Sequence, residues 1–277
     1  MFSDDDLMDM LVLKGGNALD IIYRLAQRSS KDVDFSIANE FSRKDFEKIK
    51  SKIENTLKNT FKPEGFIVFD VKLTEKPVRI SPDMEKFWGG YQVEFKIIET
   101  ENYNKHQYDI ESLRRNATVI EKNNRKIFRI DISKFEYCDS KQEYDLDGYT
   151  IYVYSPEMII AEKLRAICQQ MPEYSKLVRS PSQSARARDF FDIYTVMTNF
   201  EIDLLKKSNK NLIKNIFLAK KVPLNLIAKI KNHREYHRID FESVQATVKP
   251  SIELKAFDYY FDYVLKVCEQ LETLWKE

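Results

Sequence analysis

Two aspartates separated by a single residue are the first side chains along the chain whose spacing suits metal chemistry. Asp32 and Asp34 lie in a stretch of alternating polar and apolar residues, 32–37, which predicts a β-strand. Residues i and i+2 of a strand point to the same side, so both carboxylates would leave one face of the sheet. Mg²⁺ binds through a few carboxylate oxygens together with substrate phosphates. The pair therefore predicts a metal site, and the simpler alternative is a solvated polar face on an edge strand.

The residues just upstream of this pair suit phosphate binding. Gly15 and Gly16 permit a close backbone approach, and residues 17–25 are predicted to form a helix with Asn17 as its N-cap. A helix N-terminus offers free N–H groups and a positive dipole end to an anion. Further hydrogen-bond donors stand just before the strand: Arg28, Ser30 and Lys31. A phosphate-binding loop beside a carboxylate pair predicts metal-assisted phosphoryl or nucleotidyl transfer.

A third acidic residue is expected in such a site, and two predicted strands offer one. Asp131 lies in the alternating stretch 127–132 and faces away from its apolar neighbours. Glu94 has the same kind of position in the stretch 91–96. Either acid could bind a metal or take the proton of an attacking hydroxyl group. We favour Asp131 and keep Glu94 as the alternative.

Two charged clusters in the second half of the chain are candidates for binding phosphates. Lys163 and Arg165 flank the apolar stripe of a predicted helix and suit triphosphate oxygens, the lysine as a compact charge and the arginine as a fork. Arg188, Asp189 and Asp192 are spaced so that all three can meet on one face of a second helix. The structural alternatives are surface cations for the first cluster and an ordinary helix ion pair for the second.

The order of predicted elements divides the chain in two. A charged surface helix is predicted over 43–58. Strand-like runs then occupy residues 66–73, 91–98, 127–132 and 149–154. From Ser155 onwards the pattern is helical and opens with a Ser-Pro-Glu helix start. We therefore predict an α+β fold, with an α+β domain over residues 1–150 and a helical domain over residues 151–277 that completes the site.

Composition limits the class of protein. The chain of 277 residues is 43% hydrophobic and 32% charged, so it can bury a core, and its net charge of +1 does not indicate a nucleic-acid binder. Its three cysteines form no CxxC pair, which argues against a disulfide framework and a zinc site. The acidic N-terminus is unlike a secretory leader, and no apolar run approaches the roughly 20 residues of a membrane span. We therefore expect a cytoplasmic protein.

Three motifs, taken in order, resemble those of the abortive-infection nucleotidyltransferase toxins (AbiEii/AbiGii family), which belong to the DNA polymerase β-like nucleotidyltransferase superfamily. The motifs are Lys14 to Leu19 with Arg28 to Phe35, then Ala161 to Ala166, then Arg188 to Tyr194. The resemblance implies a polymerase β-like domain with a mixed sheet and a helical C-terminal domain. It also implies Mg²⁺ and an NTP donor, and a toxin whose partner is a cognate antitoxin. Some relatives add nucleotides to tRNA acceptor ends.

By motif position the resemblance assigns roles to single residues. Asp32 and Asp34 would bind the metal, Ser30 would contact phosphate, and Lys163 would hold the nucleotide. Either Asp189 or Asp192 would complete the site. With the residues derived above, the expected catalytic set is Asp32, Asp34, Asp131, Lys163 and Asp192, of which the first three would hold the metal. The expected nucleotide-binding set is Gly15, Gly16, Arg28, Ser30, Lys163, Arg165, Arg188 and Asp189.

A lysine-rich stretch is the candidate for acceptor binding. Residues 204–234 contain eight lysines, one arginine and no acid, and with Arg179, Arg186 and Arg188 they would form a basic track for RNA. A solvated lysine face is the structural alternative. The leading hypothesis is an NTP-dependent nucleotidyltransferase toxin that acts on RNA, such as tRNA. The alternatives are an inactive relative that binds NTP or RNA, and a transferase that acts on a protein or a small molecule.

Overall fold

The computed structural model describes residues 1–25, 27–28, 32–120, 124–178 and 183–276. Three residues of the predicted phosphate and acceptor sites, Ser30, Lys31 and Arg179, lie outside these ranges. The described residues form one seven-stranded sheet with flanking helices, followed by a helical region. The fold is therefore α+β, as the order of elements predicts.

The sheet brings together strands from almost the whole first half of the chain. Its strands are β1 (Val12–Lys14), β2 (Val33–Ser36), β3 (Phe66–Lys76), β4 (Gly90–Glu99), β5 (Phe128–Ser133), β6 (Gln142–Leu146) and β7 (Tyr149–Val153). Their spatial order is β3-β4-β5-β2-β1-β7-β6. β2 runs parallel to β5 and β1 runs parallel to β7, while the other neighbours are antiparallel. The sheet is mixed, and the two strands that carry the predicted metal ligands are direct neighbours at its centre.

Helices occur in both halves of the described chain. The first half has α1 (Asp5–Met10), α2 (Gly15–Asn17), which continues into a π-helical turn (Ala18–Ile22), α3 (Phe46–Phe61), α4 (Thr100–His106) and α5 (Ile110–Asn116). The second half begins with α6 (Pro156–Cys168), α7 (Pro172–Leu177), α8 (Ala187–Asn199) and α9 (Lys207–Ala219). It ends with a 3₁₀ helix (Leu224–His233), α10 (Arg234–Arg238), α11 (Phe241–Gln245), α12 (Phe257–Gln270) and α13 (Glu272–Trp275).

Helix α3 closes one face of the sheet. Its buried apolar residues recur every fourth position and make one stripe: Ile49, Ile53 and Leu57. At its end the ring of Phe61 lies 5.8 Å from the ring of Phe95 on β4. Along β4 the buried residues alternate with more exposed ones, which is the pattern of a strand with one face on the core. The polar residues of the central strands therefore project to the opposite face.

Helix α6 begins as its sequence predicts and is buried almost all round. The hydroxyl of Ser155 accepts a hydrogen bond from the amide of Met158 at 3.2 Å, and Pro156 is the first helical residue. Helix α8 packs against α6. Even the two basic side chains of α6 are enclosed, since Lys163 is 4% and Arg165 is 3% exposed. A continuous apolar core, from Leu7 to Leu274, joins the sheet to these helices.

The structure corrects several local predictions. Asn17 does not cap a helix, because the helix begins at Gly15, and the Asn17 amide instead donates to the carbonyl oxygen of Asp32 at 2.5 Å. Residues 99–126, for which no structure was predicted, include α4 and α5. Strand β6 was also not predicted. It pairs with β7 around a turn at Asp147 and Gly148, both of which have a positive φ.

Two further observations concern the class of protein. Cys138, Cys168 and Cys268 are all buried and free. Within the described part of the chain, none of the helices has both the length and the apolar character that a membrane crossing requires.

Candidate active site

A row of polar side chains crosses four neighbouring strands on the open face of the sheet. Lys14 of β1 pairs with Asp34 of β2, which pairs with Asp131 of β5. Asp131 in turn pairs with Gln92 of β4 and accepts a hydrogen bond from its side-chain Nε2 at 2.9 Å. Directly paired residues project to the same face of a sheet. The register therefore brings two of the predicted acids together, between a lysine and an amide.

Asp34 is the acid whose chemistry this environment changes most. Burial raises the pKa of Asp34 to about 6; Lys14 opposes the rise, and the carboxylate of Asp131 adds to it. The charge of Lys14 is shared, because its Nζ donates to the Ser133 hydroxyl at 3.0 Å and lies 3.8 Å from Glu136. A bound cation would stabilise the ionised form of a buried carboxylate that lies beside a second carboxylate.

Gly15 brings the backbone close to Asp34. Its φ of +69° lies in the left-handed region that favours glycine, and a Cβ atom there would lie 3.0 Å from Oδ2 of Asp34. Helix α2 starts at Gly15, so its unpaired N–H groups lie at this end of the row. Gly15 and Gly16 both line the same cleft as Asp34. The loop can thus admit a phosphate group close to the acid.

Asp32 is not part of this row of paired residues, although it lines the same cleft. It directly precedes β2, and Oδ1 of its carboxylate accepts a hydrogen bond from Arg125 at 3.0 Å. Its side chain is 42% exposed, so it stands at the mouth of the cleft. Among the described residues, no group of three or more acidic, histidine or cysteine side chains is close enough to hold a metal. The structure therefore brings Asp34 and Asp131 together and leaves Asp32 with Arg125.

A buried ion network ties helices α6 and α8 to the segment before β2. Nζ of Lys163 lies 3.0 Å from Oδ1 of Asp189 and 2.6 Å from Oδ2 of Asp192. Arg28 donates two hydrogen bonds to Asp192, from Nε at 2.7 Å and from Nη2 at 2.6 Å. Burial alone would raise the pKa of Asp192, but Arg28 and Lys163 hold it well below its usual range. The network fixes Lys163 in the wall of the cleft.

The cleft itself is large enough for a nucleotide and lies between the sheet and the helices. It has a volume of about 550 Å³. Its lining residues include Lys14, Gly15, Gly16, Arg28, Asp32, Asp34, Asp131, Ser133, Glu162, Lys163, Arg186, Arg188 and Asp189. Arg188 is held there by a hydrogen bond from its Nε to the Ser243 hydroxyl at 3.0 Å. Asp34 and Asp131 on the sheet thus share the cleft with Arg28 from the segment before β2, Lys163 from α6 and Arg188 from α8. This arrangement suits a metal-bound polyphosphate.

Among the described residues, three predicted candidates do not line the cleft: Arg165, Glu94 and Asp192, the last of which is buried in the ion network with Lys163. Arg165 lines an adjoining cavity, where its Nη2 lies 3.2 Å from Oε2 of Glu136 and 3.2 Å from Oε1 of Glu162. Glu94 pairs with Arg129 at 3.0 Å and, within the described residues, lines neither cavity. The structure thus places Asp131, and not Glu94, beside Asp34.

The predicted basic track is not one continuous surface. Lys220 is 4% exposed and lies inside the protein. Lys229 lies 3.2 Å from Glu173, and Arg234 lies 2.7 Å from Asp258. The exposed lysines of the stretch are Lys206, Lys207, Lys221 and Lys231. The prediction is therefore wrong for Lys220, whose partners come from distant parts of the chain.

Some cleft residues have no counterpart in the predicted site. Lys14 ends the apolar run of β1 and directly precedes Gly15, a position that could have identified it. Glu162 lines both cavities and directly precedes Lys163. Ser133 lies two residues beyond Asp131 on the same face of β5, which strand alternation could have shown.

The residues present fit a bound Mg²⁺ ion. Asp34 and Asp131 offer hard carboxylate oxygens in one register pair, and burial, more than any neighbouring charge, raises the pKa of Asp34. Mg²⁺ characteristically takes one or two carboxylates and completes its shell with water and substrate phosphates. Asp34 and Asp131 would hold the ion, with Asp32 at the mouth of the same cleft.

Comparisons with known proteins identify the family of the chain. Residues 1–263 match the family model described as nucleotidyl transferase AbiEii toxin, type IV toxin–antitoxin system. Two solved Helicobacter pylori chains, one titled "putative nucleotidyltransferase" and one titled JHP933, are each 17% identical to this chain and cover 97% of it. The alignments cover 91% and 88% of their own lengths, and both TM-scores are 0.47. An antigenic nucleotidyltransferase-like protein from Paracoccidioides brasiliensis is 14% identical over 78% of this chain and 87% of its own, with a TM-score of 0.34. The comparison with curated proteins finds no match.

Proposed function

Because the chain belongs to the AbiEii nucleotidyltransferase toxin family, we propose that it transfers a nucleotide from an NTP to RNA, with tRNA as the first acceptor to test. The reaction needs Mg²⁺ and takes place in the cleft between the sheet and helices α6 and α8. The protein acts as the toxin of a toxin–antitoxin pair, with a cognate antitoxin as its protein partner.

One observation carries the proposal. Asp34 and Asp131 are paired in register at the centre of the sheet, beside the glycine turn at Gly15 and opposite the cations of the helical wall. Burial raises the pKa of Asp34 and the carboxylate of Asp131 adds to the rise, even though Lys14 opposes it. Such an arrangement supports a site built for a metal and a polyphosphate.

The proposed reaction is a single displacement at phosphorus. The oxygen of the acceptor hydroxyl attacks the α-phosphorus of the NTP and forms the new P–O bond. The bond between this phosphorus and the bridging oxygen breaks, pyrophosphate leaves, and Asp131 takes the hydroxyl proton. Mg²⁺, when bound, neutralises phosphate charge and favours ionisation of the attacking hydroxyl.

The other residues bind and position the donor. The glycine turn admits phosphate oxygens to the N–H groups that begin α2. Lys163 and Arg188 contribute positive charge from the helical wall, where the pyrophosphate would accumulate negative charge. Arg28 and Asp192 are positioning residues, because their bidentate contact fixes the neighbouring ammonium of Lys163.

A second candidate function is supported by one contact. Asp32 accepts a hydrogen bond from Arg125, and the described residues contain no cluster of three potential metal ligands. A protein that binds an NTP or RNA without transfer would show such an incomplete site. A transferase with a protein or small-molecule acceptor shares the donor chemistry and differs only in what receives the nucleotide.

The direct test is transfer of label from each α-labelled NTP to total bacterial RNA, with Mg²⁺ or EDTA. We expect one Mg²⁺-dependent labelled RNA species from one preferred NTP. The variant Asp34→Asn should remove the label, and the matched variant Glu94→Gln, from the same face of the sheet, should keep it. Binding of NTP without label on RNA, protein or small acceptors would favour the inactive relative. Induced expression should slow growth for the wild type and not for Asp34→Asn if the protein is a toxin.

A further inference from the structure

A second cavity opens from the catalytic cleft, and the two meet at the acids. It has a volume of about 360 Å³. It shares five lining residues with the cleft: Lys14, Asp131, Ser133, Glu162 and Arg186. A molecule that occupies both cavities would therefore pass directly beside Asp131.

The two cavities extend in opposite directions from the carboxylate pair. The catalytic cleft includes Gly15 and Gly16, which follow β1 on one side of Asp34. The second cavity includes Gly90 and Tyr91 of β4, on the far side of Asp131. In a displacement at phosphorus the attacking and leaving oxygens lie roughly in line, on opposite sides of the phosphorus. If pyrophosphate leaves towards the glycine turn, the acceptor must arrive from the side of the second cavity.

The floor of the second cavity carries excess positive charge. Buried Glu136 lies 3.2 Å from Arg165, 3.5 Å from Lys220 and 3.8 Å from Lys14. Nε of Arg165 is buried and, within the described residues, has no hydrogen-bond partner. The cavity lining includes five cations, Lys14, Lys76, Arg165, Arg186 and Lys220, against three acids, Asp131, Glu136 and Glu162. An anion is the ligand that such a lining accepts.

An aromatic ring stands beside this floor. The ring centroid of Trp88 lies 5.9 Å from Nζ of Lys220 and 6.3 Å from the ring of Tyr174. Lys220 donates to the backbone carbonyls of Phe87 at 3.2 Å and Lys134 at 2.6 Å, so it anchors the segment that carries Trp88. An aromatic ring next to cationic groups matches a unit that has both a flat base and a phosphate.

We propose that the second cavity binds the terminal nucleotide of the acceptor strand. The base stacks on Trp88, the phosphate lies near Arg165 and Lys220, and the free hydroxyl reaches Asp131. This inference rests on the proposed function and adds the place and the residues that recognise the acceptor. It assigns the second cavity to the acceptor and not to the base of the donor NTP.

Binding to Trp88 can be measured without any transfer. The chain has two tryptophans, so the variant Trp275→Phe leaves Trp88 as the single indole. Titration of this variant with a short oligoribonucleotide that carries a free 3′-hydroxyl should quench its fluorescence. Titration with NTP alone should leave the emission unchanged. Quenching by NTP and not by the oligoribonucleotide would overturn the proposal, because the cavity would then hold the donor base.

Kinetics supply the second test. Loss of a base–aromatic stack costs about 1–3 kcal/mol, so Trp88→Leu should raise KM for the RNA acceptor roughly 5-fold to 150-fold. The KM for NTP should stay within about twofold, because the donor lies in the other cavity. Exposed Lys76 lines the cavity and exposed Lys72, on the same strand, does not, so Lys76→Ala should weaken RNA binding more than Lys72→Ala.

The two proposals can fail separately. If RNA quenches Trp88 and no acceptor is labelled, the acceptor cavity stands and the transfer reaction is wrong. A different result would be labelled RNA together with an unchanged acceptor KM for Trp88→Leu and an unchanged Trp88 emission on addition of RNA. The assignment of the second cavity to the acceptor would then be wrong, and the transfer reaction would stand.

Discussion

The substitution Asp34→Asn should stabilise the metal-free protein while it ends nucleotide transfer. The folded protein raises the pKa of Asp34 from 3.8 to about 6, chiefly by burial. One pKa unit corresponds to about 1.4 kcal/mol, so the ionised carboxylate costs the fold roughly 3 kcal/mol at neutral pH, and roughly 2 kcal/mol after allowance for solvent screening. Asparagine keeps the shape of the side chain and removes the charge. The active site would thus carry a stability cost that Mg²⁺ removes.

The sign of the pH dependence follows from the direction of the shift. Because the folded-state pKa lies above the unfolded value, the penalty is absent below about pH 4 and complete above about pH 6. The difference between wild type and Asp34→Asn should therefore be largest at neutral pH and should vanish as the pH falls through this window.

Thermal unfolding in EDTA and in Mg²⁺ measures the effect. For a chain of this size 1 kcal/mol shifts Tm by about 2–4 °C, so Asp34→Asn should unfold roughly 4–8 °C higher in EDTA near neutral pH. Mg²⁺ should raise the Tm of the wild type and leave that of the variant unchanged. Glu94→Gln is the matched control, because Glu94 lies on the same sheet face and pairs with Arg129. A lower Tm for Asp34→Asn in EDTA, or equal stabilisation of both proteins by Mg²⁺, would refute the reasoning.

Three further predictions concern the buried network, a buried histidine and the mouth of the cleft. Asp192→Asn should cost about 3–5 kcal/mol in urea unfolding, because it leaves Arg28 buried without its bidentate acid; a loss below about 1 kcal/mol would contradict this. Burial lowers the pKa of His237 to about 4, so the wild type should lose about 2 kcal/mol more than His237→Gln between about pH 7 and pH 5; parallel loss in both proteins would exclude this cause. Arg125→Gln removes the hydrogen bond that Asp32 accepts from Arg125 and should lower the Mg²⁺ concentration that half-saturates transfer by about 10-fold, the effect of about 1.4 kcal/mol, whereas an unchanged requirement would place Asp32 outside the metal site.

The sequence predicts the two strands that carry Asp34 and Asp131 but not that they are neighbours. Alternation places Asp34 and Asp131 each on the polar face of a strand, and this is a local property. Their contact depends on the parallel pairing of β2 with β5, which joins segments almost one hundred residues apart. No local pattern distinguishes Asp131 from Glu94, because both alternate equally well. The choice between them is made by the strand register.

Burial of charge is the other property that local pattern cannot supply. Lys220 lies in a lysine-rich stretch that is predicted to form a basic track, yet its Nζ donates to the carbonyl oxygens of Phe87 and Lys134 inside the protein. Arg165 was predicted to flank an apolar stripe, and it does so while its guanidinium binds Glu136 inside the protein. Asp32 likewise accepts a hydrogen bond from Arg125, which lies about ninety residues further along the chain. In each case the partner is distant in sequence, so helix or strand periodicity cannot identify it.

The central claim, that the Asp34 cleft carries out nucleotidyl transfer, is tested most directly by the position of the label in the donor. The same RNA should be offered the preferred NTP labelled either at the α-phosphate or at the γ-phosphate, with wild type, Asp34→Asn and Glu94→Gln. We expect α-label on RNA and γ-label in free pyrophosphate for the wild type and Glu94→Gln, with neither product from Asp34→Asn. Label from the γ-phosphate on RNA, or unchanged transfer by Asp34→Asn, would contradict this claim.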